Sequence, residues 1–460
     1  MGLRLRERHF PPGGIRLMGT DAKEHFQDVP HLSRGCCVQF AQRLCRQKGR
    51  RGIFRVTGAD VRFLQVADAV RHASARLHAA RLHYLHVQEM TTKRTTRSVL
   101  VVETGSGLGG SARALGEMLR SLDMSGLRVT ALFTRPDAST ERIDREDVEI
   151  LKTVRPLCRG PERWLRDAIY LYRLFSHLRP AVVHLNNELY SSAPVILAAR
   201  SRNIPIVCHL RSQRRPTRIE KLLAPLCRRL VAISRSGQMH FRRRLPGAGR
   251  RIEVIRDSFA NIKPYKREER DMPATRLGMT SNLVRGKGHE YVLEAMPRIL
   301  RMFPRTRLVI AGRTINGDNY DIELRRRSES LRLTESVAFA GWQDDIARFL
   351  GDIDILIDAS YLPEGYRHTI VEAMQAGVPV IATDVGPARE IIRTAAEGMI
   401  VPPRDAESLA EAVCTLLENP CRMREMARNG RRAVVERRRS DSGTTKMEHL
   451  YRTTALSRRG

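Results

Sequence analysis

The chain has 460 residues, of which 42% are hydrophobic and 28% are charged, a composition typical of a globular protein rather than a disordered one. This length predicts two domains and a tail, because a single core stops growing at roughly 250–300 residues. A transmembrane helix needs a run of about 18 apolar, uncharged residues, and no run in this sequence is that long. The first 30 residues also lack the apolar core of a signal peptide. We therefore expect a cytoplasmic protein.

The formal net charge is +31, which permits binding to nucleic acid or to an anionic membrane surface. Only nine of the 81 basic residues are lysine, a skew typical of a coding bias toward arginine, and the basic residues are spread over the whole chain. We therefore expect no nucleic-acid partner. Diffuse positive charge suffices for a weak peripheral contact with an anionic membrane, and we expect such a contact at the inner face of the cell membrane.

The beginning of the chain differs from the rest. Residues 1–89 carry seven of the fourteen histidines, and their apolar residues show little strand alternation. We interpret 1–96 as a basic, poorly ordered N-terminal extension, and its residues 1–89 as an upstream segment without a catalytic role. Met90 opens a polar segment that leads directly into the first strand, and we predict that it is the natural start of the protein.

Two series of strand–helix units follow. The first, over 97–265, has predicted strands near 98–103, 127–133, 181–185, 205–210 and 229–233, and the polar stretch Lys263–Pro273 is predicted to be a linker. The second, over 275–430, has predicted strands near 276–281, 307–311, 335–339, 353–357, 378–382 and 398–401, before a C-terminal helix and tail at 431–460. Apolar strands joined by helices are typical of parallel sheets covered on both faces. The predicted fold class is α/β, with two doubly wound parallel-sheet domains facing a cleft.

One edge of that cleft is predicted around residues 364–390. Thr369 is expected to cap a helix with Glu372 as its capping-box partner, and Pro387 suits the first turn of the next helix. These helix N-termini and a turn at Gly365 would meet at the carboxyl edge of the sheet, where free amides favour a diphosphate. Glu364 lies ahead of the first helix, where no packing or capping duty explains it. Carboxylates beside a phosphate site suit the vicinal hydroxyls of a sugar and a ribose.

Three other segments carry candidate site residues. Arg285 and Lys287 lie between a strand and a helix, where they would neutralise a diphosphate, although a solvated turn explains the same segment. The glycines of 105–110 allow a ligand to approach the backbone, but they lack the Gly-x-Gly-x-x-Gly spacing, which disfavours a nicotinamide enzyme. His184 and His209 end buried strands and are expected at the cleft, although a lone histidine is usually structural.

Together these segments resemble glycosyltransferase family 4, the retaining transferases of GT-B architecture, which has two Rossmann-like domains. The resemblance covers about residues 98–430. Its most specific element is the Glu-x7-Glu motif of Glu364 and Glu372, which continues as Ala-Met-Gln-Ala-Gly-Val-Pro-Val-Ile-Ala-Thr. The pair Gly109-Gly110, the strand-end His209 and the strand Leu308–Gly312 fit the same pattern.

The resemblance implies transfer of a sugar from a nucleoside-diphosphate sugar to a glycan or lipid-linked acceptor, with the anomeric configuration retained, in polysaccharide or glycolipid biosynthesis. It implies that Glu364 contacts the donor sugar and that Glu372 contacts the ribose hydroxyls. Lys287 with Arg285 would bind the diphosphate, and His209 would lie near the donor sugar and the acceptor. No metal or other cofactor is expected. The remaining donor-binding positions surround these residues: Gly109, Gly110, Gly365, Tyr366, Thr369 and Ile370.

The chain departs from the family pattern at two places. Family members commonly carry arginine where Asn282 stands, and we expect Arg285 to compensate. Many members read Asn-Gly-Ile-Asp where this chain has Arg256-Asp-Ser-Phe-Ala-Asn261. Two alternatives to a transferase remain at this point: a nucleotide-sugar epimerase of the same fold, and a non-enzymatic basic protein that binds nucleic acid or membrane.

Overall fold

A computed structural model describes most of the chain beyond residue 96. The described residues are 97–105, 110–136, 138, 140, 143, 145–153, 156–157, 161–258, 262, 275–314, 318–363, 365–440 and 443–456. They all belong to one compact unit. The predicted N-terminal extension and the predicted linker Lys263–Pro273 lie outside the described residues.

The first domain is a seven-stranded parallel sheet in the order β3-β2-β1-β4-β5-β6-β7. Its strands are β1 Arg97–Glu103, β2 Leu127–Phe133, β3 Val148–Lys152, β4 Val182–Leu185, β5 Ile206–Leu210, β6 Arg229–Ala232 and β7 Ile252–Val254. Its helices are α1 Gly110–Ser121, α2 Trp164–Leu178, α3 Ala193–Ser201, α4 Arg218–Leu223 and α5 Arg235–Arg244.

The second domain is a six-stranded parallel sheet in the order β10-β9-β8-β11-β12-β13. Its strands are β8 Arg276–Thr280, β9 Arg307–Ala311, β10 Val337–Gly341, β11 Ile355–Asp358, β12 Val380–Thr383 and β13 Met399–Val401. Its helices are α6 His289–Met302, α7 Tyr320–Ser330, α8 Ile346–Asp352, α9 His368–Ala376, α10 Ala388–Ile391 and α11 Ala406–Glu418.

The predicted α/β class is confirmed, and the predicted strands lie within two residues of the observed bounds. Central strands such as β4, β5, β11 and β12 are buried along their whole length, which is why continuous apolar runs revealed them. The apolar pattern of the sequence did not predict β3 and β7. Both are edge strands with exposed positions, so their apolar signal is weak.

Two C-terminal helices, α12 Pro420–Ser440 and α13 Gly443–Leu456, connect the domains. Helix α12 packs on the second domain, where Val434 joins its core. Helix α13 returns to the first domain and buries Met447, Leu450 and Tyr451 in its core. The predicted domain boundary at residue 430 therefore falls inside a continuous helix. Gly430 is needed there because a Cβ would lie 2.8 Å from the backbone oxygen of Glu397.

In both sheets the strand order reverses beside the first strand, between β1 and β4 and between β8 and β11. Ligands of doubly wound sheets bind outside the carboxyl ends of the strands at such a reversal. The residues that follow β1, β4, β8 and β11 are therefore where a site is expected. Among the described helices, none is both long enough and apolar enough to cross a membrane.

Candidate active site

A buried ion pair supports the site edge of the second domain. Asp358 ends β11, and Arg367 immediately precedes α9 with only 3% of its surface exposed. The Arg367 guanidinium donates to both carboxylate oxygens of Asp358, at 3.0 and 2.6 Å, and to the backbone oxygen of Thr383 at 2.7 Å. Burial raises the pKa of Asp358, but the charges of Arg367 and Lys287 outweigh it and hold the pKa at about 2. This ion pair fixes the start of α9 against the ends of β11 and β12.

The predicted capping box at the start of α9 is wrong. The N-cap is Arg367, which makes no side-chain cap, and Thr369 lies inside the first turn. The Thr369 hydroxyl donates to Asp358 Oδ2 at 3.2 Å instead. Asp358 lies at the end of a neighbouring strand, and a local sequence motif does not reveal this acceptor.

Glu372 has a partner in the other domain. Only 5% of its surface is exposed, and its Oε1 accepts a hydrogen bond from Arg113 Nη1 of α1 at 2.6 Å. Its Oε2 is buried and has no hydrogen-bond partner among the described residues. Without a capping duty, this carboxylate lies where α9 and α1 meet, with one oxygen unsatisfied.

The two domains approach each other closely at the start of α1 and α9. Gly110 opens α1, and a Cβ there would lie 3.8 Å from the His368 ring. A Cβ on Gly365 would lie 1.5 Å from the Arg211 backbone oxygen, so only glycine permits this contact. Tyr366 packs edge-on against His368, with ring centroids 6.1 Å apart, and burial raises its pKa to about 12. Glu364 and Gly109 lie outside the described residues, and their roles stay predictions.

A buried chain of hydrogen-bonded polar side chains crosses between the domains. The sequence patterns did not predict it. Asn186, after β4, donates to Glu103 at the end of β1, and Arg211 donates to the Asn186 side chain at 2.7 Å. The Arg211 guanidinium also pairs with both oxygens of Asp257 at 2.8 Å. His368 of the second domain completes the chain with its Nε2 3.2 Å from Asp257 Oδ2. Burial raises the pKa of Asp257, but Arg211 and His368 lower it well below its ordinary value.

A second cross-domain contact lies at the start of α5. The carboxylate of Glu390, on α10 of the second domain, accepts hydrogen bonds from the backbone amides of Arg235 and Ser236 at 2.9 and 2.7 Å. A carboxylate is favourable at this helix N-terminus because it meets unpaired amides. Besides the close contact at Gly365, the domains are therefore held together by two separate sets of polar contacts.

The predicted cations of the second domain differ in position. Lys287 is half-buried, and its charge lowers the pKa of both His289 and Asp358, so it lies at the site edge. Arg285 is exposed and turns to α7, where its Nη2 pairs with both carboxylate oxygens of Glu323 at 2.7 and 2.6 Å. The expected compensation for Asn282 by Arg285 would require Arg285 to leave that carboxylate.

The three remaining predicted residues are all buried. Ile370 is fully buried in the second domain's core, so only its backbone can meet a ligand. His209, on β5, is 2% exposed, and its Nδ1 lies 2.6 Å from Nε2 of His184. His184 is fully buried and contacts Tyr451 of α13, so the expectation that it lies at the cleft is wrong. His184 is the third of the four residues of β4, so its side chain lies over the sheet, where Tyr451 covers it, and not beyond the end of the strand.

Two parallel-sheet domains of this strand order that meet at a polar cleft form a GT-B fold. Solved GT-B glycosyltransferases match it over their whole length. HepE of Anabaena (Alr3699), solved with UDP and glucose, matches with a TM-score of 0.64 and 20% identity over 77% of this chain and 98% of that chain. Sucrose-phosphate synthase of Thermosynechococcus elongatus matches with a TM-score of 0.66 and 20% identity over 78% of this chain and 100% of that chain.

Family models match both domains. The model of Glycosyltransferase Family 4 matches residues 108–257, and that of the Glycosyl transferases group 1 matches residues 265–433. Each of the two domains therefore matches a glycosyltransferase family model, which confirms the family resemblance.

Curated relatives are similar over part of the chain. The phosphatidyl-myo-inositol mannosyltransferase of Mycobacterium leprae is 32% identical over 175 residues, which are 37% of this chain and 44% of that protein. The lipopolysaccharide core biosynthesis mannosyltransferase LpsB of Rhizobium meliloti is 28% identical over 147 residues, 31% of this chain and 42% of that protein. The chain spans less than half the length of these relatives.

Proposed function

We propose that the protein is a retaining glycosyltransferase that moves a sugar from a nucleoside-diphosphate sugar to a glycan or lipid-linked acceptor. The observation that carries this proposal is the half-satisfied carboxylate of Glu372 between the domains. A buried acceptor without a partner costs about 1–3 kcal/mol. The vicinal hydroxyls of a ribose would donate to that oxygen, and hydrogen bonds to an ionised acceptor are the stronger kind.

The diphosphate would lie between α1 and α9. The N-termini of both helices favour an anion, and Lys287 adds a positive charge at the same edge. Arg113 supplies the cation that Asn282 does not, because its guanidinium already lies 2.6 Å from the proposed ribose carboxylate. We propose that Arg113 transfers its hydrogen bond from Glu372 to the diphosphate when the donor binds. These cations neutralise the leaving group, so we propose no metal.

At the reacting end of the donor, Glu364 and His209 are the proposed contacts of the transferred sugar. Gly365 brings the loop after Glu364 against the Arg211 backbone, within the chain segment that follows His209. A sugar held there would meet both domains. This placement supports catalysis at the interface rather than within one sheet.

The test is an assay of the full chain with GDP-mannose and UDP-glucose, with and without membrane lipid extract as acceptor. We expect acceptor-dependent release of the nucleoside diphosphate. Glu372→Gln should raise the donor KM roughly tenfold, the effect of losing about 1.4 kcal/mol of binding, while Glu418→Gln on the exposed face of α11 should change nothing. Conversion of the donor without acceptor would identify an epimerase instead.

The membrane contact is proposed to involve α5. Arg235, Met239, Arg242 and Arg243 are exposed on this helix, which carries no acidic residue. Met239 is 55% exposed, and residues spaced by three or four positions share a helix face. Basic residues near an anionic surface contribute about 1 kcal/mol each. Binding to phosphatidylserine-containing vesicles should therefore weaken roughly tenfold or more in an Arg242→Ala/Arg243→Ala variant, and equal binding by neutral vesicles would exclude this contact.

A further inference from the structure

Three buried polar side chains of the first domain form a continuous chain that ends at His209. The Tyr451 hydroxyl, on α13, lies 2.6 Å from Nδ1 of His184 on β4. Nε2 of His184 lies 2.6 Å from Nδ1 of His209 on β5. Tyr451 and His184 are fully buried and His209 is 2% exposed. Each of the two short contacts holds one proton, so the order of these protons determines what His209 presents to a ligand.

All three groups are neutral near pH 7. Burial lowers the pKa of His184 to about 3, and it also lowers the pKa of His209 well below its ordinary value, with the charge of Arg211 acting in the same direction. Burial raises the pKa of Tyr451, so the phenol keeps its proton. A neutral imidazole carries one N–H and one acceptor nitrogen. Each histidine therefore donates through one nitrogen and accepts through the other.

Two proton orders satisfy these contacts, and the environment of Tyr451 distinguishes them. If the phenol donates to His184 Nδ1, then His184 donates through Nε2 to His209 Nδ1, and the His209 proton lies on Nε2. In the reverse order the phenol accepts, and among the described residues the only other acceptor for its own proton is the sulfur of Met118, 3.9 Å away. A thioether is a weak acceptor, so in the reverse order the buried hydroxyl of Tyr451 makes only a weak hydrogen bond. The first order satisfies the phenol with a good acceptor.

We propose that Tyr451 and His184 are positioning residues that hold His209 in the tautomer with its proton on Nε2. His209 then offers a hydrogen-bond donor to an oxygen of the sugar donor and does not act as a base. Nε2 has no hydrogen-bond partner within the described part of the chain, which leaves it for a ligand. The statement that His209 donates a hydrogen bond to the sugar substrate rests on the proposed function. The proposal also links the site to the docking of α13, since Tyr451 of that helix contacts His184.

The first experiment measures the tautomers directly in the unmodified full chain. Long-range proton–nitrogen NMR of protein labelled with 15N-histidine distinguishes a protonated Nε2 from a protonated Nδ1, and His209→Asn identifies the His209 signals by their loss. We expect the Nε2–H tautomer for His184 and His209 at pH 7. A protonated Nδ1 on His209 would overturn the proposal. This readout needs no substrate, so it stands even if the protein transfers no sugar.

The second experiment removes only the phenol oxygen. In Tyr451→Phe, His184 Nδ1 loses its donor, and we expect the two histidines to become mixtures of tautomers. We expect kcat to fall about tenfold with a smaller change in donor KM, because the fraction of His209 that can donate falls. Tyr172→Phe is the matched control, a phenol on α2 of the same domain whose ring lies 4.9 Å from the Arg202 guanidinium carbon. Unchanged tautomers in Tyr451→Phe, or an equal loss of kcat in the control, would contradict the proposal.

Discussion

The two edges of the cleft are built in different ways. In the second domain, Asp358, Arg367 and Thr383 lie within 25 residues along the chain and satisfy one another. In the first domain, Glu103, Asn186, Arg211 and Asp257 come from segments far apart, and the polar chain that they form is completed by His368 of the other domain. Tyr451 of α13 reaches His184 of the same domain from the end of the chain. The cleft edge of the second domain is therefore held by residues near one another in the chain, whereas the cleft edge of the first domain depends on how distant segments are assembled.

This difference has a functional consequence. A donor site on a self-contained edge would keep its shape if the domains moved apart. The first edge would lose partners in such a movement, because Arg113 and Asp257 both contact the second domain. We therefore expect the second domain to provide the ribose contact by itself, whereas the proposed contact of Arg113 with the diphosphate depends on how the two domains meet.

The largest effect is expected from breaking the self-contained edge. Arg367→Met leaves Asp358 as a buried charge without its cation, and removing one partner of a buried pair costs about 3–5 kcal/mol. We expect the free energy of unfolding of the second domain to fall by that amount in urea titrations. The control is Arg389→Met, whose exposed pair with Asp384 should contribute no more than about 1 kcal/mol. Equal losses in the two variants would show that the buried pair has no special role.

Acid should destabilise the first domain more steeply than the second. The pKa values of His184 and His209 are lowered by burial, so as the pH falls below about 6.5 the unfolded chain takes up protons that the folded domain does not. Each such histidine removes about 1.4 kcal/mol of stability per pH unit. The second domain has one such histidine, His289, whose pKa burial lowers to about 3. His240 on α5 of the first domain also has its pKa lowered by burial. Between pH 6.5 and 4.5 the first domain should therefore lose stability at least about twice as fast as the second.

The two tryptophans of the chain make this measurable, since Trp164 lies in the first domain and Trp342 follows β10 of the second. Urea unfolding followed by fluorescence in Trp342→Phe reports on the first domain, and in Trp164→Phe on the second. Parallel pH dependences in the two variants would exclude the buried neutral histidines as the cause.

A smaller effect would identify the role of Arg113. If this arginine moves from Glu372 to the diphosphate, Arg113→Ala should weaken binding of a nucleoside diphosphate roughly tenfold, or about 1.4 kcal/mol, and leave binding of the nucleoside nearly unchanged. Calorimetry with UDP, GDP and the matching nucleosides measures this. Arg120→Ala, at the exposed end of α1, is the control. Equal weakening of both ligands would mean that Arg113 only orients Glu372.

Much of the second domain could be read from the sequence, because its information is local. Fully buried strands appear as apolar runs, and the segment from Glu364 to Glu372 places candidate groups within one loop and one helix turn. Even there the capping box of Thr369 was wrong. A strand-end carboxylate eleven residues earlier in the chain competes for its hydroxyl, and a motif does not show that competition.

What the sequence determined by itself is the alternation of buried strands and helices, and with it two doubly wound sheets and a motif at one carboxyl edge. Periodicity carries that information because burial repeats along each element. Only the tertiary structure decided that Glu372 meets Arg113, 259 residues away, and that Tyr451 reaches His184 across 267 residues. Such pairs leave no local pattern, since each partner is an ordinary polar residue on its own helix or strand. These contacts become specific only in the folded chain, because burial excludes water and the buried group must then pair with the polar group beside it.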